Sequence, residues 1–213
     1  MPLADQPLSA RSASKRSAIL AAAERAFLTH GYLGTSMDGV AADSRVSKQT
    51  IYAHFGTKEQ LFVDLVKAMT DEAGDAVEVL TPRLDSPEQF RTWLRDYSRG
   101  QLDAVLTPRL MRLRRLVIAE VPRFPELAAV MQAQGAGRVI EHLTQVCAEA
   151  AVRGLIEADP ARAARRLNWL LMAEPINAVM MLGDDALPSP DAREAIANQA
   201  VHDFLRLFAA PRV

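Results

Sequence analysis

Residues 35–54, TSMDGVAADSRVSKQTIYAH, leave the backbone few options. Thr35 with Asp38 three residues on is a capping-box pattern and opens a short helix. Met37, Val40 and Ala41 are its inward positions. The chain turns through Ser44, Arg45 and Val46, and Ser47 then caps a second helix over 48–55. Ile51 and Phe55 lie four apart and face inward, which leaves Lys48, Gln49, Thr50 and Ala53 outside. Two short helices joined by a tight turn, the second small and polar on its outer face, suit entry into a DNA major groove. A sequence-reading DNA-binding protein is the leading expectation.

The rest of the chain reads as helix. It has 213 residues, 49% of them hydrophobic but only 6% aromatic, a mixture that favours long helices over sheets. A first helix is predicted over 12–30, with Ile19, Ala22, Ala23, Ala26 and Phe27 as its apolar stripe and Gly31 as its stop. Thr57 caps a fourth helix, predicted to reach about residue 80. Beyond it, prolines mark first-turn positions at Ser86-Pro87, Thr107-Pro108, Phe124-Pro125, Asp159-Pro160 and Ser189-Pro190. The helix opened at Pro125 is predicted to run to about Gly154, bent near Gly135-Ala136-Gly137. The fold class is therefore all-α, about nine helices, with a helix-turn-helix head at 1–60 and a helical body at 61–213. Residues 1–10 lack periodicity and read as disordered.

Charge is uninformative in sum and useful in distribution. The net charge is −1, yet residues 1–60 carry seven Lys/Arg against five Asp/Glu, so the remainder is mildly acidic. Arg11, Lys15 and Arg16, before or early in the first helix, are candidates to reach the DNA backbone. The one cysteine, Cys147, excludes an internal disulfide and suits a reducing, cytoplasmic setting. No apolar run is long enough for a membrane span or a signal peptide. Gly-x-Ser-x-Gly, His-Glu-x-x-His, Cys-x-x-Cys and phosphate-cradling glycine motifs are all missing, so no catalytic residue, cofactor or metal is expected.

The run Tyr52-x-His54-Phe55-x-x-Lys58-x-x-Leu61, with Phe27-x-x-x-Gly31-Tyr32 upstream, resembles the TetR/AcrR family of transcriptional regulators. RLVIAEVPRFPELA at 115–128 resembles the C-terminal domain of the AefR-like subgroup. The resemblance implies a one-component regulator, a repressor, that binds a palindromic DNA operator as a homodimer and is released by a small organic effector. By position in the motif, Lys48, Gln49, Thr50 and Ala53 would face base edges. Tyr52, His54 and Lys58 would hold phosphates, with Thr35 or Ser36 at a helix N-terminus and Ser47 and Arg45 beside the turn. The family usually has Ala-Gly where this chain has Ser44-Arg45. Either the turn differs or Arg45 carries a left-handed strain of about 1–2 kcal/mol, with a phosphate contact as a possible gain.

In the body, Trp93, Tyr97, Met111, Trp169, Met172 and Asn177 are the candidate effector contacts, on helices that surround a cavity in this family. Ordinary core packing is the plainer reading for any one of them. Glu120, His142 and Glu174 are further polar groups in apolar surroundings, and Pro175 should kink its helix. Two apolar stripes, Ala163, Leu167, Leu170 and Leu171, and Ile196, Ala200, Phe204 and Leu207, would pair with their copies across a two-fold axis or else serve the monomer core. A helical interaction protein that does not bind specific DNA is the rival class.

Overall fold

A computed structural model describes residues 10–77 and 84–210. The helices are α1 (Ala10–Gly34), α2 (Met37–Ser44), α3 (Lys48–Phe55), α4 (Lys58–Val77), α5 (Pro87–Val105), α6 (Pro108–Glu120), α7 (Pro125–Gln132), α8 (Arg138–Val152), α9 (Pro160–Leu182) and α10 (Pro190–Phe208). A π-helical turn, Ala133–Gly137, joins α7 to α8 without a break, so there are nine continuous helical rods among the described residues. That turn contains the Gly135-Ala136-Gly137 bend read from the sequence. A single backbone bridge, Ile156 to Ala209, is the whole of the β pairing among the described residues. The disorder expected at residues 1–10 falls almost wholly on positions outside those described, as does the predicted end of α4 near residue 80.

The chain divides into two compact units, Met1–Ala68 and Met69–Val213. In the first, Ile19, Ala22, Ala23 and Phe27 of α1 are buried with Val40, Ile51, Phe55, Leu61 and Phe62. Phe27, Tyr32 and Phe62 form an aromatic cluster with centroids 4.9–6.0 Å apart. Phe62 explains why the start of α4 belongs with this unit. Gly31 takes φ 70°, a conformation that favours glycine, and interrupts the helix where the sequence predicts a stop.

In the second unit α5, α8, α9 and α10 enclose one core that includes Phe90, Leu94, Leu143, Cys147, Leu167, Leu171 and Phe204. Four of the five proline starts have a true side-chain cap. Ser86, Thr107, Asp159 and Ser189 each accept from the backbone N–H three residues on, whereas Phe124 caps nothing. The two stripes assigned to a dimer interface lie largely in this core. Ala163, Leu167, Leu171, Ala200 and Phe204 are fully buried within one chain, and Leu207 alone of the eight is well exposed. A stripe at helical spacing says that a face is covered, not what covers it. Among the described residues no helix is long and apolar enough to cross a membrane.

Candidate nucleic-acid interface

The geometry of α2 and α3 follows from three local choices of hydrogen bond. The N-cap of α2 is Ser36 and not Thr35: Ser36 Oγ accepts from Gly39 N at 3.0 Å. Thr35 turns inward, 4% exposed, and donates through Oγ1 to Gly31 O at 2.8 Å. With two adjacent hydroxyl residues the sequence pattern is ambiguous by one position, and burial decides it. At the turn, Arg45 takes φ 56°, ψ 35°, the one left-handed non-glycine conformation among the described residues. Its N–H and that of Val46 bond back to the last carbonyls of α2, so the strained residue completes a normal helix end. Of the two readings left open by Ser44-Arg45, the left-handed conformation at Arg45 is the one observed. Ser47 then caps α3 by accepting from Thr50 N at 3.1 Å, and shares a 2.8 Å hydrogen bond with the Thr50 hydroxyl.

This fixes which side chains α3 presents. Ile51 and Phe55 are buried, while Lys48, Gln49, Tyr52 and Ala53 are exposed. Thr50 and His54 are half-buried on the flanks. Ser36, Arg45 and Ser47 are exposed beside the turn, and Thr35 is buried beneath it. Gln49, Tyr52 and Ala53 therefore come together on one outward face with Lys48 at its start.

Two cations of the predicted set are already engaged. Lys48 Nζ donates to Asp38 Oδ2 at 2.9 Å across the turn, and this bond raises its pKa above the ordinary lysine value. The Lys58 ammonium sits 4.6 Å from the centre of the Tyr32 ring. Arg16 donates to Asp64 at 2.6 Å and lies 5.1 Å over Phe55, so it braces the unit as well as charging it. These pairings involve residues distant in sequence and could not be read from spacing. The Glu59 carboxylate, in the first turn of α4, is held below the usual range by its own backbone N–H and by the Tyr32 and Thr57 hydroxyls.

The predicted effector residues scatter more widely. Met111, Trp169 and Met172 line one cavity of about 130 Å³, together with Gln101, Arg114 and Asn168. Tyr97 lines a second hollow of about 170 Å³ with Arg138 and His142, and the two hollows share Gly74 and Val139 in their walls. Trp93 is buried and stacked on Tyr97 at 5.0 Å, in neither wall. Asn177 is exposed and lines neither hollow. Asn168, Gln101 and Arg114 were missed because nothing in a helical repeat separates a buried polar residue at a cavity from one on a wet face. The hydroxyl of Tyr97, the Nε2 of His142 and the Oε1 of Gln101 are buried without a hydrogen-bond partner. Burial pushes the Tyr97 phenol well above its ordinary pKa and the Cys147 thiol up to about 12. No group of three or more potential metal ligands occurs among the described residues.

Comparison with known proteins is consistent across the chain. Residues 19–65 match the family model for bacterial regulatory proteins of the tetR family, and residues 92–210 match that for the C-terminal domain of AefR-like transcriptional repressors. A solved structure of a TetR-family transcriptional regulator from Mesorhizobium loti MAFF303099 is similar at 30% identity, with TM-score 0.83 over 95% of this chain and 100% of that one. The flavonoid-responsive regulator FrrA superimposes with TM-score 0.73 at 29% identity, over 93% of this chain and 98% of its own. The HTH-type transcriptional regulator YezE of Bacillus subtilis (strain 168) is 28% identical over 119 residues, 54% of this chain. The chain spans 60% of the length of that curated relative.

Proposed function

The chain belongs to the TetR family of bacterial regulatory proteins, with an AefR-like C-terminal domain, and on that premise we propose that it is a cytoplasmic one-component repressor whose α3 reads a palindromic operator. It is a transcriptional regulator by family, and the family comprises regulators rather than enzymes. The observation that carries the finer reading is the division of α3. Gln49, Tyr52 and Ala53 are exposed while Ile51 and Phe55 anchor the helix.

In this reading Gln49 pairs with adenine N6 and N7, the Ala53 methyl meets a thymine methyl, and Lys48 exchanges Asp38 for a base or phosphate. Tyr52, His54, Arg45 and Lys58 hold the backbone, with Ser36 and Ser47 at helix N-termini. Two copies associate through the outer faces of α9 and α10, where Ala173, Asn177, Met181, Leu182 and Leu207 are exposed. Symmetric association places two heads on half-sites about 34–36 Å apart. A small organic effector enters the paired hollows of the second unit and favours a state in which that spacing is lost. The flavonoid-responsive relative supports an effector that carries a ring.

The test is fluorescence anisotropy on the DNA upstream of the protein's own coding sequence. Specific binding at about 10⁻⁸ M or tighter, at least 10³-fold above random DNA, is expected at physiological salt. Lys58→Ala should weaken specific and random DNA alike and lower the salt slope by about 1. Equal affinity for operator and random sequence would overturn specific reading.

A further inference from the structure

The Met-lined cavity of the second unit has an electrostatic feature that an apolar ligand leaves unanswered. Arg114 forms part of its wall, half-buried, and makes no hydrogen bond or ion pair among the described residues. Its neighbours on α6 behave differently: Arg112 and Arg115 both bind Asp184. Every other partly buried arginine among the described residues has a partner. Among the described residues the cavity wall contains no Asp or Glu. Burial holds the Arg114 guanidinium below its ordinary pKa, yet an arginine remains charged at neutral pH. A cation in the same wall as Met111, Leu113, Met131 and Met172 is thus uncompensated among the described residues.

A second group points the same way. Gln101, 3% exposed, lines the cavity, and its Oε1 has no hydrogen-bond partner. The two ends of the amide are interchangeable, so Gln101 can serve a ligand hydroxyl either as acceptor or as donor. The cavity volume of about 130 Å³ sets the size. A dry cavity of about 150 Å³ takes one benzene ring. Methionine walls adapt to a planar guest.

We infer that this cavity binds a one-ring organic anion, a hydroxylated aromatic carboxylate, with the carboxylate on Arg114 and the hydroxyl at Gln101. The planar guanidinium suits a two-bond contact to a carboxylate, which supplies charge and orientation together. The ring lies among the methionines, near Trp169, which is in the same wall and 57% exposed. This assignment rests on the reading of the second unit as the effector site and specifies the ligand's charge.

The test is titration of the full chain with 4-hydroxybenzoate, 4-hydroxybenzyl alcohol and tyramine, which share a ring and hydroxyl but are anionic, neutral and cationic. Tryptophan fluorescence and melting temperature are read for each. The acid should bind saturably and at least tenfold more tightly than the alcohol, and tyramine should not bind. Arg114→Gln, shown folded by circular dichroism, should bind acid and alcohol within about threefold of each other. Equal or tighter binding of the alcohol by the parent overturns the anion assignment and leaves the effector-site reading standing. So does a tenfold preference for the acid that survives in Arg114→Gln. Binding of none of the three to the parent overturns the one-ring assignment, and operator release by any larger ring compound then shows the effector-site reading independently intact.

Discussion

The two units differ in where their unmet polar chemistry lies. In the first, hydroxyls that could be orphaned are caps: Ser36, Ser47 and Thr57 each accept from a backbone N–H at 3.0–3.1 Å. Three of its cations are paired with acids of the same unit, Arg16 with Asp64, Arg25 with Asp43 and Lys48 with Asp38. In the second, Arg91, Tyr97, Ser98, Gln101 and His142 each bury an atom without a hydrogen-bond partner, and all five such atoms among the described residues are there. The first unit, whose proposed work is at its surface, buries no unpartnered side-chain N or O atom among the described residues. In the second, Tyr97 and His142 line one hollow and Gln101 the other, where the proposed effector would satisfy them, while Arg91 and Ser98 line neither. A buried polar group without a partner is costly until one arrives.

The largest effect that would sharpen this comparison is a charge placed in the second unit's core. Phe204→Asp should unfold the protein, since an unpaired buried charge costs about 5 kcal/mol or more, comparable with the whole stability of a domain. Met181→Asp, at a site 76% exposed on α9, should leave folding intact and weaken the proposed dimer in sedimentation. If Phe204→Asp gave a folded monomer, that residue would be an interface position and not core.

Next in size is the aromatic cluster of the first unit. Phe62→Ala removes the ring that touches both Phe27 and Tyr32 and should cost about 3–5 kcal/mol in chemical denaturation. The loss should fall on DNA affinity and head stability, while the core of the second unit keeps Cys147 protected from thiol reagents. Equal loss of Cys147 protection would mean that the two units fold as one cooperative block.

The smallest effect is at the turn. Arg45→Gly removes the left-handed strain and should stabilise the protein by about 1 kcal/mol. If Arg45 also touches a phosphate, the same variant should bind DNA more weakly. A gain in stability with unchanged affinity would make the arginine a passenger in the turn.

The head was largely legible because its signals are local. Ser47 before Lys48, Thr57 before Lys58 and the four-residue step from Ile51 to Phe55 each fix a cap or a face within one turn of helix. The helix starts of the body were legible for the same reason, at Ser86-Pro87, Thr107-Pro108, Asp159-Pro160 and Ser189-Pro190. The body's cavity was not. Trp93 and Trp169 have equal claims in sequence, yet one is buried on Tyr97 and the other is half open at the cavity wall. Which face of α9 meets its own chain depends on contacts with α8 and α10, remote in sequence. The ion pair from Lys48 to Asp38 was hidden likewise, because it closes across a turn whose geometry rests on one strained residue.

The central functional claim is that α3 reads bases through Gln49, and selection of bound sequences from random duplex DNA tests it most directly. The parent should enrich a palindrome, and Gln49→Ala should enrich the same palindrome with the preference at one base pair per half-site relaxed, a loss of about 1–3 kcal/mol on the best site. An identical motif from parent and variant, or no motif from the parent, would contradict it.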